Sequence, residues 1–328
     1  MSSLVEKVHI LLQPHAPLLL CCGLLVLLGI AWNIWNLGVV SHQLCKSKTY
    51  QTVDLIILCI SSSNILLDIS AFGYLFTIEF DLHCMKELHT VVRTILYVFF
   101  STTCLSFWSI TWLCVFYCVK IVNIPMAFFI IVKRNISSVI NAALILSVLG
   151  CLIMYAPFFF FELPSHAENT TANGTLNIDC PDLKVNFSSP IDTDAYLYIF
   201  LCFLCPIPLA IMLTTSIQLV SHLWKHTRSM KKNENKFQSR DSYLLIVRMI
   251  LSLVFVYLLT ICIAFICFLI QKQSSQLANQ ILIPNMSFFC MATGILLTTT
   301  NKNLKEKFTT VCCCKKPQNE TRVSERLT

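Results

Sequence analysis

Seven apolar runs, each long enough to cross a lipid bilayer, decide what this chain can become. A spanning helix needs roughly 20 mainly apolar residues. Such runs lie at about 18–40, 53–77, 88–119, 138–161, 195–219, 244–270 and 280–300. Composition agrees: 56% of the 328 residues are hydrophobic and 12% are charged, against about 25% charged in soluble domains. One soluble core that buried this much apolar surface would leave almost no polar shell, so soluble enzymes and disordered chains are excluded. A net charge of +7 is not a nucleic-acid signal, because the basic residues sit in short loops rather than on one face. With 7 glycines, the chain contains neither G-x-G-x-x-G nor G-x-x-x-x-G-K-S/T, so glycine-rich phosphate cradles are absent. The expected fold is an all-α membrane protein, a seven-transmembrane helix bundle over residues 1–300 with a tail over 301–328.

Loop charge orients the bundle. With the N-terminus outside, the cytoplasmic side holds Lys46 and Lys48, then Lys120, Lys133 and Arg134, then seven basic residues from Lys225 to Arg248, and the basic tail after Asn301. Lys7, Lys86, Arg93, Lys184 and Lys272 are left on the outer side. This is a strong positive-inside bias, and it makes the tail cytoplasmic. The N-terminal stretch has no basic region ahead of its apolar residues, so the first run reads as an uncleaved anchor rather than a signal peptide.

The loop 162–194 carries three N-x-S/T sequons, at Asn169, Asn173 and Asn186, expected to be glycosylated on the outer side. Asn135 and Asn319 fall on the cytoplasmic side and are expected to be unused, and Asn285 to be buried in a helix. Of 18 cysteines, only Cys84 and Cys180 lie in outer loops. There they either bridge the first two loops or remain separate thiols. Cys312, Cys313 and Cys314 follow a short basic amphipathic helix, NKNLKEKF, a setting suited to S-palmitoylation at the membrane face.

Polar residues inside spans are costly and therefore informative. Asn33 and Asn36 lie in the first span, Asn64 and Asp68 in the second, Arg93 and Thr103 in the third, and Arg248 in the sixth. Asn64 and Asp68 are one turn apart on one face and can meet Asn33. Such a cluster is either a polar switch or plain interhelical glue at about 0.6 kcal/mol per contact. Phe99 and Thr103, also one turn apart, would pair an aromatic wall with a hydroxyl. His222 and His226 have i, i+4 spacing but no third ligand nearby, so no metal site is expected. No Ser/His/Asp constellation and no paired intramembrane aspartates suggest catalysis, and no cofactor is called for.

The end of the third run, WSITWLCVFYCVKIVNIP, resembles the bitter taste receptor family (taste receptor type 2), whose pattern here is W-x-A-T-x-L-x-x-F-Y-x-x-K-I-A-N-F-S. Trp108, Thr111, Leu113, Phe116, Tyr117, Lys120, Ile121 and Asn123 match it without a gap. LWKHTRSM, from Leu223 to Met230, is similar to the family's L-W-R/K-H-T-x-x-M. Arg240-Asp241, the Ser252 to Tyr257 spacing, and Asn301, Leu304 and Lys305 extend the likeness. The chain departs from the pattern at Asn64, where the family has Arg, at Phe99 and Thr103, where it has Trp and Asn, and at Thr293-Gly294, where it has His-Ser.

The resemblance implies a G-protein-coupled receptor that binds small bitter compounds in the outer bundle. It also implies signalling through gustducin or related inhibitory-type G proteins to phospholipase C and calcium. Carried over by position, Phe99 and Thr103 would sit in the ligand pocket with Tyr257 near its floor. Met286 and Phe289, argued from depth alone, would close it. Tyr117, Lys120, His222, His226 and Arg228 would form the cytoplasmic mouth that meets the G protein and the anionic lipid of the inner leaflet.

Overall fold

The computed structural model describes residues 2–47, 51–80, 85–122, 130, 133–162, 167–170, 176–179, 186–187, 206–230, 237–271, 275–300, 304 and 308. The seven long helices are α1 (Ser2–Ser47), α2 (Thr52–Glu79), α3 (His89–Ile121), α4 (Ile136–Tyr155), α5 (Pro206–Met230), α6 (Phe237–Gln271) and α7 (Ser275–Thr300). Each contains a stretch long and apolar enough to cross a membrane. In the bilayer, every backbone N–H and C=O must be paired inside its own segment, and a helix does this for these runs.

The number of spanning helices, seven, is the number expected. The largest difference is at α5, whose apolar stretch runs Pro206–Lys225 where the sequence suggests 195–219. Residues 195–205 lie outside the described residues. Lys225 has a long apolar stem, and such a side chain rides on the end of a helix without ending it.

Side-chain pairs give the helix directions. Gly29 faces Asp68 and Asn33 faces Asn64, so α1 and α2 are antiparallel. Asn33 bonds the Cys290 carbonyl and Asn36 the Gly294 carbonyl, so α1 and α7 run parallel. The helices close into a ring: α1 packs on α2 and α7, α5 on α6, and α6 on α7, while α3 touches α2, α4, α5 and α6. Lys46, Lys120 and Lys225 mark one end of this ring, called the basic end below.

α3 is the axial helix. Phe99, Cys104, Phe107, Ile110, Leu113 and Cys114 on it are each at most 2% exposed. By contrast, Leu146 and Ile153 on α4 and Phe255 on α6 are exposed, as lipid-facing residues of a membrane bundle are. Leu304 is fully buried, and Phe308, one turn on, has its ring 5.0 Å from Trp32 and 5.9 Å from Trp35. Phe308 thus packs on α1.

Two short antiparallel ribbons belong to the loop after α4. β1 (Phe161–Glu162) pairs with β4 (Asn186–Phe187), and β2 (Ala167–Thr170) pairs with β3 (Leu176–Asp179). The reading from sequence contained no strands. These ribbons place Asn169 on β2 and Asn186 on β4. Asn173, Cys84, Cys180, Cys312, Cys313 and Cys314 lie outside the described residues. Asn285 is buried in α7, its amide donating to the Thr260 carbonyl at 3.2 Å.

Candidate functional site

The buried polar residues form a knot centred on Asn64. Its amide Nδ2 donates to Thr293 Oγ1 at 2.8 Å and to Asn33 Oδ1 at 3.4 Å, and its Oδ1 accepts from Ser106 Oγ at 2.6 Å. One side chain on α2 therefore ties α1, α3 and α7 together. The knot continues toward the basic end: Asn36 Nδ2 donates to the Gly294 carbonyl at 2.9 Å, and Thr298 Oγ1 donates to Asn36 Oδ1 at 2.7 Å.

Two of the departures from the family pattern meet here. Asn64 stands where the family has Arg, Thr293-Gly294 where it has His-Ser, and these positions are hydrogen-bonded neighbours. Gly294 lets α1 approach: a Cβ there would meet Asn33 Nδ2 at 3.1 Å and Trp32 Cβ at 3.2 Å.

Asp68 shares the Asn64 face, as expected, but does not join the knot. It is fully buried and faces Ser287 and Cys290 of α7 rather than Asn33 or Asn64. Its side chain lies against Gly29, where any Cβ would collide with the carboxylate.

On the side of the knot away from the basic end lies an aromatic layer. Phe107 presents its ring edge-on to Tyr257 at 4.6 Å and to Phe289 at 5.0 Å. Such pairs add about 0.5–1.5 kcal/mol each beyond simple burial, and they join α3 to α6 and α7. Two turns earlier on α3, Phe99 packs on Tyr74 at 5.8 Å and on Phe100 at 5.1 Å. Phe100 in turn stacks on Phe158 at 4.9 Å. Thr103 lies between the two groups, its hydroxyl donating to the Phe99 carbonyl at 2.7 Å.

The five expected ligand residues thus divide. Tyr257 and Phe289 meet through Phe107; Phe99 and Thr103 share one face of α3; Met286 lies one turn from Phe289 on α7. All five are 5% exposed or less. Phe107, the residue that joins the aromatic groups, was missed from sequence, although the i, i+4 stripe Phe99–Thr103–Phe107 pointed to it.

At the basic end, Tyr117 borders an internal cavity of about 20 Å³ with Val53, Ile57, Met249, Leu297 and Thr300, space for about one water. Lys120 is exposed, its Nζ 5.4 Å from the centre of the Phe116 ring. His222 is half-buried on α5. His226 and Arg228 follow on the same helix, but their side chains lie outside the described residues.

Comparison with known proteins adds to this geometry. A family model described as "Taste receptor protein (TAS2R)" matches residues 13–316. Taste receptor type 2 member 40 of Gallus gallus is 31% identical over 214 residues, which cover 64% of this chain and 66% of that one. Taste receptor type 2 member 2 of Homo sapiens is 23% identical over 304 residues, 88% of this chain and 93% of that one.

Proposed function

The chain belongs to the taste receptor protein family (TAS2R), a bitter taste receptor rather than an enzyme, and we propose that it binds small, largely apolar bitter compounds between α3, α6 and α7 and activates a gustducin-type or other inhibitory-type G protein. The observation that carries this reading is the family match over residues 13–316, with a buried aromatic layer at the depth where a ligand would rest. Phe107, Tyr257 and Phe289 form the floor. Phe99, Thr103 and Met286 form the walls nearer the opposite end from the lysines. Few polar groups project there, so affinity comes from apolar contact, and selectivity is broad.

Activation is a shift between two bundle arrangements. A ligand moves the balance only by binding one of them better. A change from 1:99 to 99:1 takes about 5.5 kcal/mol of differential affinity. The aromatic layer touches three helices at once, so a ligand resting on it has purchase on their relative positions. Tyr117, Lys120, His222, His226 and Arg228 make the mouth that the α-subunit enters, at the cytoplasmic face. Phospholipase C and calcium release follow downstream.

The test is a panel of bitter compounds on cells carrying the receptor and a gustducin chimera, read by calcium. At least one compound should give a saturable response. Phe289→Ala should raise its half-maximal concentration roughly tenfold or more, as loss of about 1.4 kcal/mol or more of aromatic contact requires. Unchanged curves for both Phe289→Ala and Phe107→Ala would remove the ligand from this layer.

The orientation has its own test. The proposed topology places the amino terminus and the 162–194 loop outside the plasma membrane and the carboxyl-terminal tail inside. Replacing Asn169, Asn173 and Asn186 together by Gln should sharpen and lower the gel band of the expressed receptor, to the position reached by enzymatic deglycosylation. A band that does not move argues against an outer position for that loop.

A further inference from the structure

A second cavity, of about 710 Å³, lies between α6 and α7 near the basic end. It is a bilayer-facing groove: Leu251, Phe255 and Phe288 on its walls are exposed. Its volume falls within the usual range of small-molecule sites, about 300–1,000 Å³. The function proposed above makes no use of it.

Its chemistry is ordered along its length. Leu244 and Val247 line its rim at the basic end, and Arg248, the cation on its wall, lies four residues inside the apolar stretch of α6 that begins at Leu244, or about 6 Å below the start of that stretch. Ser252 comes one turn deeper on the same face of α6. Beyond it the groove is apolar, between Phe255 on α6 and Met291 and Ala292 on α7. Among the described residues, no acidic side chain lines it. A guanidinium in a span is costly unless its charge is met and it can reach the interface.

We propose that this groove is a binding site for an anionic phospholipid of the leaflet at the basic end. The order of groups from Arg248 to Phe255 follows the order along such a lipid: phosphate, ester, acyl chain. The Arg248 fork holds the phosphate oxygens in two parallel hydrogen bonds. Ser252 donates to an ester carbonyl. The chain lies along Phe255 and Met291, where Ala292 leaves the groove open. A zwitterionic headgroup is disfavoured because it brings no net negative charge to set against the guanidinium, whereas phosphatidylserine adds a carboxylate to its phosphate. That this leaflet is cytoplasmic rests on the orientation proposed above; the site itself does not.

The test uses the full-length receptor in mild detergent, where lipid reaches both ends of the bundle, so a wrong orientation does not affect the result. Native mass spectrometry with equal amounts of phosphatidylserine and phosphatidylcholine should show phosphatidylserine retained roughly tenfold more, the worth of a charge-assisted contact. Arg248→Gln should bring the ratio to about one. Ala292→Phe should reduce adducts of both lipids. An unchanged ratio in Arg248→Gln overturns the proposal, as does unchanged binding in Ala292→Phe.

Photocrosslinking needs no variant. Phosphatidylserine with a diazirine on its acyl chain should label the wild-type peptides that contain Phe255 and Met291. Labelling confined to other helices overturns the site even where the variants fail to fold.

Discussion

Asn64→Leu is expected to be the most damaging single polar substitution in the bundle. Leucine is close in size to asparagine but gives and accepts no hydrogen bonds. The change deprives Ser106 Oγ and Asn33 Oδ1 of their partners on α2 and takes a donor from Thr293. Interhelical hydrogen bonds in membrane proteins are worth about 0.6 kcal/mol each, while a buried polar group left unpaired costs about 1–3 kcal/mol. The sum is about 2–4 kcal/mol, a large share of the stability of a typical folded chain. Thermal denaturation of the purified receptor should show a clear drop in Tm, and surface staining should fall with it. Ser106→Ala, which removes one bond and frees one acceptor, should cost much less. Equal melting of Asn64→Leu and wild type would mean that the knot does not hold the helices together.

Gly29→Val should match that effect by a different route. A Cβ added at Gly29 runs into the Asp68 carboxylate, which is fully buried and cannot withdraw to solvent. α1 would have to move off α2. Overpacking of this kind costs about 1–3 kcal/mol, occasionally more. The pair makes a double-mutant cycle. Asp68→Ala clears the space, so the double variant should recover most of the loss, with a coupling of about 0.5–3 kcal/mol between contacting residues. Purely additive effects would mean that the two residues do not touch. Gly38→Val is the control on the same helix: nothing lies within 4 Å of a Cβ there, so it should melt close to wild type.

Both predictions depend on contacts that no reading of one helix at a time could supply. Asn33, Asn64 and Asp68 stand out in the sequence because they are polar residues in apolar runs, and the i, i+4 rule puts the last two on one face. Nothing in that pattern distinguishes the residue that ties four helices together from its neighbour, which stays outside the knot. The distinction comes from α1, which sets Gly29 against Asp68 and Asn33 against Asn64. The ligand residues follow the same division. Phe99 and Thr103 were legible as a stripe. Phe107 became significant only once α6 and α7 brought Tyr257 and Phe289 against it. The groove beside Arg248 belongs to the same class, since its two walls are 40 residues apart in the chain.

What the sequence determined by itself was the all-helical class and the number of the spans. These follow from the free energy of moving single segments between water and lipid, which each segment settles alone. Which polar side chains pair, which glycine admits a neighbouring helix, and where a groove stays open were decided by tertiary structure. In the bilayer, helices gain little by hiding apolar surface from one another. Their registry is therefore set by a few close contacts and hydrogen bonds, and each of these needs residues from at least two helices.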